Sequence, residues 1–242
     1  MRRHKTAGRG AGIDLLGLLY PHVCPLCGRV TAEDICGDCR EKLEYIHEPR
    51  CMRCGKPIRR KDQEYCYDCE RHSHVFEKGY ALWVHRDGVQ QAIYQFKYHN
   101  RRIYSQFFGK ELLSRYGKAV RGWNITVIIP IPLSRKRRRV RGFNQAELLA
   151  RELGRGLGIA VDGKRLVRVR DTNPQKQMDV KGRSSNLRNA FAWKGKEPIH
   201  GNVLLVDDIY TTGNTIDAAA RALKRCGAGK IYFLTISIGQ GY

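Results

Sequence analysis

The stretch Val203-Leu-Leu-Val-Asp-Asp-Ile-Tyr-Thr-Thr-Gly-Asn-Thr215 joins an apolar run to two carboxylates and a loop rich in hydroxyl groups. The apolar residues 203–206 predict a buried parallel strand. Asp207 and Asp208 follow at the position where this strand is expected to end. A single glycine permits a tight loop, and residues 216–226 predict a helix that a further glycine closes. The order of strand, polar loop and helix is typical of an α/β fold.

The loop after the predicted strand is suited to an anion. Its backbone N–H groups and the positive end of the helix dipole point at whatever binds there, and a phosphate fits. Asp207 and Asp208 cannot bind that phosphate, so they must face another part of the same ligand. Vicinal hydroxyls or a Mg²⁺ ion are their natural partners. A ribose with a 5′-phosphate satisfies both halves at once, whereas an ordinary strand that ends in a polar turn is the alternative.

This stretch resembles the ribose-phosphate loop of type I phosphoribosyltransferases. The resemblance implies that Asp207 and Asp208, the candidate catalytic residues, hold the ribose hydroxyls of phosphoribosyl pyrophosphate, and that Mg²⁺ binds with this ligand. It also implies that the 5′-phosphate is bound by Tyr210, Thr211, Thr212, Gly213, Asn214 and Thr215.

The chain is strongly basic. Its 242 residues, enough for one or two domains with a real core, include 45 Lys and Arg against 23 Asp and Glu, a net charge of +22. Such a protein attracts polyanions, either nucleic acid or phosphorylated ligands, although a solvated basic surface would have the same charge. No apolar run approaches the roughly 20 residues of a membrane span.

Residues 1–20 predict a basic tail and then a short amphipathic helix that ends before Pro21. This order faintly resembles a secretory signal, but Asp14 interrupts the apolar run and no small-x-small cleavage site follows. We therefore expect a cytoplasmic protein, in which thiols stay reduced.

Eight of the nine cysteines form four Cys-x-x-Cys pairs within residues 21–75. Two such pairs make a tetrahedral Cys₄ site that suits a structural Zn²⁺. Sequential pairing gives one zinc on Cys24, Cys27, Cys36 and Cys39 and another on Cys51, Cys54, Cys66 and Cys69. Interleaved pairing satisfies the same chemistry, and disulfides would require an oxidising compartment. Four nearby histidines, each able to replace a cysteine, are expected at the surface: His22, His47, His72 and His74.

Residues 76–242 alternate between predicted strands and helices, which indicates a parallel α/β sheet with helices on both faces. Asp87 and Gly88 predict a turn after the first strand. Ligands of such sheets bind beyond the carboxyl ends of the strands. The predicted strands are 78–85, 126–133, 165–169, 203–206 and 230–238, and the first two predicted helices are 89–98 and 103–116.

The segment 134–145 predicts a loop after a strand that two prolines end. Six of the eight residues from Ser134 to Arg141 are basic. Charges packed this densely repel one another unless a polyanion neutralises them, so the segment predicts a second anion site. A mobile basic loop or a patch resembling a nuclear-import signal is the alternative. Asn144 is a plausible N-cap of the helix that follows.

Pro-Ile-Pro at residues 130–132 and Arg-Gly-Phe-Asn-Gln-Ala at residues 141–146 resemble the ComF family, a bacterial group linked to late competence for DNA uptake. The resemblance runs from Cys24 to the last strand. It implies a type I phosphoribosyltransferase fold preceded by a small double zinc-ribbon domain, and a flexible hood at residues 170–177 with Arg183 and Asn186. It places the pyrophosphate loop at 132–139, where the candidate ligands are Pro132, Leu133, Arg135, Lys136 and Arg139.

If chemistry occurs at such a site, it is displacement of pyrophosphate from the anomeric carbon through an oxocarbenium-like transition state. Thr211 stands where some purine-salvage relatives have an acidic residue, so no general base is apparent and the acceptor stays open.

A binding module is the alternative to an enzyme, either a sensor of phosphoribosyl pyrophosphate or a competence factor that binds single-stranded DNA. In the second case the basic loop contacts phosphates and aromatic rings stack on bases. The zinc ribbons would then dock DNA or a DNA-uptake helicase. The candidate nucleic-acid residues are Arg137, Arg138, Arg141 and Phe143, with Tyr98 or Tyr104 as further stacking residues.

Overall fold

The computed structural model describes residues 22–169 and 190–239. The predicted N-terminal tail and helix lie outside these residues, as do the hood segment 170–177, Arg183 and Asn186. Six strands follow one another in the described residues: β1 (Lys78–Val84), β2 (Ile125–Pro130), β3 (Leu166–Arg168), β4 (Phe191–Trp193), β5 (Asn202–Tyr210) and β6 (Ile231–Ile238).

Four of these strands form one sheet in the order β1-β6-β5-β2, and every neighbouring pair is parallel. β3 and β4 form a separate antiparallel pair. The central strands β5 and β6 are almost entirely buried, as expected for strands covered on both faces. The predicted parallel α/β sheet is therefore confirmed.

Seven helices accompany the strands in the described residues, and none of them is both long and apolar enough to cross a membrane. They are α1 (Gly37–Lys42), α2 (Tyr67–Arg71), α3 (Asp87–Tyr98), α4 (Tyr104–Gly122), α5 (Arg135–Arg141), α6 (Gln145–Leu157) and α7 (Asn214–Lys224). The apolar sides of α3, α4 and α6 pack on one face of the sheet, whereas α7, β3 and β4 pack on the other.

The basic segment after β2 is a helix, which corrects the predicted loop. Ser134 precedes α5, and its side-chain oxygen accepts a hydrogen bond from the backbone N–H of Arg137 at 3.3 Å. Gly142 ends the helix with a φ of 74°. Arginine and lysine are good helix formers, so a capping serine and a terminating glycine suffice to define this short helix. Asn144 caps α6 as expected, since its side chain accepts from the Ala146 N–H at 3.2 Å.

β5 extends further than its apolar residues indicate. Its ladder with β6 continues from Val203↔Ile231 through Asp207↔Thr235 to Tyr210↔Ile238. Asp207 and Asp208 therefore lie inside the strand and not beyond it, because β6 offers backbone partners along this whole length. Asp87 and Gly88 likewise belong to the first turn of α3 and not to a separate turn.

The cysteine-rich segment covers the edge strand β1. The Ile46 N–H donates to the carbonyl of Leu82 at 3.0 Å, and the Gly79 N–H donates to the carbonyl of Arg53 at 2.8 Å. An exposed edge strand is a template for unwanted pairing, and these contacts remove that liability. The first cysteine cluster contributes Cys24 to the core beside α3 and α4, whereas the second belongs to the core beside α7. The two ribbons thus lie on opposite faces of one sheet.

Candidate functional site

The eight paired cysteines form two clusters by sequential pairing: Cys24, Cys27, Cys36 and Cys39, and Cys51, Cys54, Cys66 and Cys69. Within each cluster the Sγ atoms all lie within 4.8 Å of one another, and the pairs Cys27–Cys36 and Cys54–Cys66 are 3.6 Å apart. Tetrahedral zinc with Zn–S bonds of about 2.3 Å requires separations of about 3.8 Å. Both clusters are therefore zinc-binding sites, and four thiolates at each leave no open position for chemistry.

One of the nearby histidines is not at the surface. The His74 side chain is only 2% exposed, and its Nδ1 lies 2.6 Å from Oδ2 of Asp217 in α7. This corrects the expectation of a surface histidine. It is not a cysteine substitute either, because the clusters found in the described residues consist of cysteines alone.

Asp208 forms an ion pair with Lys97, a partner that the apolar pattern of the strand did not predict. Its Oδ1 lies 2.9 Å from Nζ of Lys97, and the two side chains are 12% and 14% exposed. Lys97 occupies the last turn of α3, where the Gln145 side-chain amide donates to its backbone carbonyl at 3.4 Å. Asp208 therefore faces α3 and is paired there with the Lys97 side chain.

His85 lies on the same side, directly after β1. Its Nδ1 is 2.9 Å from the Ser237 hydroxyl of β6. Burial and the nearby Lys97 ammonium lower the pKa of His85, although Asp208 acts in the opposite direction. A neutral imidazole thus stands near the Lys97–Asp208 pair at the carboxyl end of the sheet.

Asp207 has a different environment from its neighbour. Burial, and then repulsion from the Asp208 carboxylate, raises the pKa of Asp207 to about 7, while Lys97 and Arg168 oppose that shift. The backbone N–H of Asp208 donates to Oδ1 of Asp207 at 2.8 Å. The Asp207 carboxyl can therefore change its protonation state near neutral pH, beside a second carboxyl that is paired with Lys97.

The loop between β5 and α7 presents backbone donors to a ligand. Gly213 has a φ of 82° and precedes α7, and no side chain caps this helix end. Thr211 and Thr212 are exposed, and Asn214 and Thr215 are half-buried. The arrangement of a glycine turn and an uncapped helix N-terminus is suited to a phosphate.

Tyr210 contributes only its backbone to this loop. Its side chain is 1% exposed, and its ring stacks on Phe233 with a centroid distance of 4.7 Å. Tyr210 is among the residues expected to bind the 5′-phosphate, but its side chain is not exposed to a ligand. The ring instead points into the core shared with the second ribbon.

The basic helix α5 borders a cavity of about 610 Å³. Pro132, Leu133, Arg135 and Arg138 line one side, and Lys164, Arg168 and Lys194 line the rest with Glu147 as a carboxylate. Lys136 and Arg139 are exposed on the same helix, and Arg137 is half-buried. Five cations against one carboxylate make this cavity suited to an anion such as pyrophosphate.

Two of the aromatic residues considered for base stacking are buried. Phe143 is 7% exposed, beside the ring of Phe96 at 6.1 Å and the guanidinium of Arg102 at 4.8 Å. Tyr104 is 6% exposed. Both fill the core under α3, α4 and α6, which corrects their predicted stacking role, whereas Tyr98 is 49% exposed and remains available.

Sequence reasoning assigned no site role to Lys97, His85 and Arg168, because they lie on three separate elements. One sequence feature could have drawn attention to Lys97: it is a basic residue that follows the apolar face of a predicted helix. His85 and Arg168 had no such feature, since only the folded chain brings the end of β1 and the separate strand pair β3–β4 near the carboxyl end of β5.

Two family models match the chain. Residues 15–70 match the Double zinc ribbon domain, and residues 111–237 match the Phosphoribosyl transferase domain. The second match includes β5, the loop after it and α7. The sheet is therefore that of a phosphoribosyl transferase domain, and the chain is of the class that joins such a domain to a double zinc ribbon.

Similarity to individual proteins extends over most of the chain. "Competence protein ComFC" of Bacillus subtilis is 32% identical over 232 residues, which cover 87% of this chain and 92% of that protein. "Competence protein F" of Haemophilus influenzae is 28% identical over 207 residues, covering 84% and 89%. "DNA utilization protein YhgH" of Salmonella typhimurium is 28% identical over 220 residues, covering 88% and 96%. The chain belongs to the ComF family, as its proline and arginine–glycine motifs predicted.

We expect protein purified without chelator to contain two zinc ions per chain, one in each cluster. Cys27→Ser and Cys66→Ser should each remove about one ion, because three thiolates hold zinc less firmly than four. Native mass spectrometry or atomic absorption measures the content. Cys226→Ser is the control, since Cys226 belongs to neither cluster and its loss should leave both ions in place. Less than one zinc per native chain would contradict the two sites.

Asp207→Asn is expected to raise the free energy of unfolding, because folding raises the pKa of this carboxyl and so disfavours its ionised form. The gain should begin as the pH rises above about 4, where the unfolded carboxyl ionises, and should level off above pH 7 at about 2 kcal/mol. Urea unfolding between pH 4 and pH 8 measures it. Asp62→Asn, an exposed carboxyl whose pKa Arg60 lowers, should give no gain. An equal gain at pH 4 and pH 8 would argue against a raised pKa at Asp207.

Proposed function

We propose that this protein binds phosphoribosyl pyrophosphate together with Mg²⁺ and acts in DNA uptake. The observation that supports ligand binding most directly is that two carboxyl groups and a helix N-terminus lie together at one end of β5. The Asp207–Asp208 pair lies within the strand, and the uncapped N-terminus of α7 follows after a turn at Gly213. A ligand that has both hydroxyls and a phosphate fits this combination.

Each part of the site would have its own task. The loop residues Thr211 to Thr215 would bind the 5′-phosphate through backbone N–H groups and hydroxyls. Asp207 and Asp208 would accept hydrogen bonds from the ribose hydroxyls, and their oxygens are also of the type that Mg²⁺ prefers. Pro132, Leu133, Arg135, Lys136 and Arg139 would hold the pyrophosphate. Bound Mg²⁺ would offset charge on that group.

Chemistry at this site would be displacement of pyrophosphate by a nucleophile, with positive charge developing on the ribose. Two carboxylates beside the ribose stabilise such charge, and cations on α5 stabilise the departing pyrophosphate. Lys97 neutralises Asp208 and would weaken its share of this effect, so Asp207 is the carboxyl whose charge responds to the ligand. Thr211 is not an acid or base, which leaves proton removal from the acceptor to another group.

The role in DNA uptake is supported by the names of the relatives and by one surface. Tyr94 and Tyr98 are 54% and 49% exposed, and their ring centroids are 5.0 Å apart. The Arg141 guanidinium lies 4.8 Å from the Tyr98 ring and donates to its hydroxyl at 3.0 Å. Exposed rings beside a basic helix are what single-stranded DNA binds through stacking and phosphate contacts.

We therefore revise the candidate DNA-binding residues: Tyr94 and Tyr98 replace Phe143. The basic candidates Arg137, Arg138 and Arg141 remain. A DNA-uptake helicase would be the partner that delivers the single strand. The zinc clusters require reduced thiolates, which agrees with a cytoplasmic location for this activity.

Native protein should bind phosphoribosyl pyrophosphate with Mg²⁺ in calorimetric titration, and Asp207→Asn/Asp208→Asn should weaken that binding at least about 100-fold, since several charge-assisted bonds are lost. Asp62→Asn, an exposed carboxyl paired with Arg60 in the second ribbon, serves as the control and should bind as the native chain does. The double variant should keep its DNA affinity. Equal loss of DNA and ligand binding would refute two separate surfaces.

Tyr94→Ala/Tyr98→Ala should weaken single-stranded DNA binding by about 2 to 6 kcal/mol, because base stacking contributes about 1 to 3 kcal/mol per ring. Fluorescence anisotropy at several salt concentrations measures this affinity and its salt dependence, which should be steep for phosphate contacts. Tyr67→Ala is the matched control, an equally exposed tyrosine stacked on Arg71 in the second ribbon. A larger effect at Tyr67 would move the DNA site to the ribbons, and a flat salt response would exclude phosphate contacts.

A further inference from the structure

The chain that leaves the second zinc ribbon is bonded directly to α7. His74 Nδ1 lies 2.6 Å from Oδ2 of Asp217, and the Val75 N–H donates to Oδ1 of the same carboxylate at 2.8 Å. The His74 and Asp217 side chains are 2% and 6% exposed. Hydrogen bonds to a buried carboxylate are strong when both of its oxygens are satisfied, so this junction is rigid.

Asp217 also lies directly after the loop of residues 211–215, which we call the phosphate loop. It lies in the first turn of α7, and its backbone N–H donates to the carbonyl of Gly213 at 2.8 Å. Its side chain turns away to His74 and Val75, and no side chain caps the helix end. The first N–H groups of α7 therefore stay available for a ligand anion instead of being satisfied within the protein.

The rings of His74 and Tyr210 lie directly against the loop. A Cβ added at Gly213 would lie 2.6 Å from the Tyr210 hydroxyl and 2.9 Å from Cε1 of His74. His74 in turn stacks on Phe76 at 4.7 Å, within the core that contains the second cysteine cluster, Tyr210 and Ile216. The side chains that pack under the phosphate loop therefore belong to the core that also contains the second zinc ribbon.

The first ribbon has a different relation to the sheet. Cys24, Leu26 and Ile35 pack in the core on the opposite face, with α3 and α4. The described contacts between this region and the helices are surface ion pairs such as Asp34–Lys110 at 2.7 Å, and the bond from the Tyr45 hydroxyl to Glu111. Within the described residues, the backbone hydrogen bonds and core packing of this ribbon do not reach residues 210–217.

We propose that His74 is a positioning residue through which the second zinc ribbon holds the phosphate loop in its binding conformation. This inference rests on the proposed function in that loop 211–215 is taken to bind a phosphate. A loop that binds through backbone N–H groups gains affinity when those groups are ordered beforehand, because less conformational entropy is lost on binding. The His74–Asp217 pair fixes the end of the loop where α7 begins.

The test uses the full-length, zinc-loaded chain and amide hydrogen exchange. His74→Phe keeps a ring against Phe76 but removes the bond to Asp217, and His74→Phe/Asp217→Asn also removes the buried charge that would be left unpaired. Tyr45→Phe, which deletes a hydrogen bond on the opposite face, is the control. The amide at position 217, whose N–H is hydrogen-bonded to the carbonyl of Gly213 in the native chain, should exchange at least tenfold faster in both His74 variants, with zinc content unchanged, and at the native rate in Tyr45→Phe. Native exchange rates in both His74 variants would overturn the proposal.

A ligand comparison then separates a local from a general effect. Ribose 5-phosphate reports on the phosphate loop, whereas inorganic pyrophosphate reports on the basic helix α5. The His74 variants should bind ribose 5-phosphate about tenfold more weakly and pyrophosphate as the native chain does. Equal weakening of both ligands would refute a local role for His74. If the native chain binds no ribose 5-phosphate, the proposed function fails, and hydrogen exchange alone still decides whether His74 orders the loop.

Discussion

Adjacent residues of a strand point to opposite faces of a sheet, and this alternation controls the site at the end of β5. Asp208 faces the side of α3, where Lys97 neutralises it at 2.9 Å. Asp207 forms no such ion pair with the residues that the structure describes, and burial beside a second carboxylate raises its pKa to about 7. The pleat thus places two identical side chains in different surroundings. The phosphate loop that follows must leave from the same strand, which fixes its distance from both carboxyl groups.

The zinc ribbons are part of this arrangement and not an appendage to it. They cover the edge strand β1 through backbone hydrogen bonds and divide between the two faces of the sheet. The second cysteine cluster lies in one core with Phe76, Tyr210 and α7. A metal in that cluster stabilises the side of the molecule against which the phosphate loop rests, whereas the first cluster stabilises the side of α3 and α4. Under the proposed function, zinc binding and ligand binding would be coupled through this packing.

Local sequence predicted the parallel sheet, the cysteine pairs and the loop at Gly213, because each rests on spacing or on residue type over a few positions. It failed where the structure depends on contacts between residues that are distant in the sequence. β5 includes Asp207 and Asp208 because β6 offers backbone partners alongside them, and Phe143 is buried because α3 and α6 meet over it. The basic segment after β2 forms a helix because Ser134 and Gly142 define its ends. Lys97, His85 and His74 reach the site from distant elements, and no local pattern identifies such neighbours.

A crystal structure of the zinc-loaded chain with phosphoribosyl pyrophosphate and Mg²⁺ would test the central claim most directly. We expect the 5′-phosphate against the backbone N–H groups of residues 211–215, the ribose hydroxyls on Asp207 and Asp208, and the pyrophosphate beside Arg135 and Arg139. Density for the ligand on the basic helix alone, with the loop after β5 and both carboxylates free of it, would contradict this account of the site.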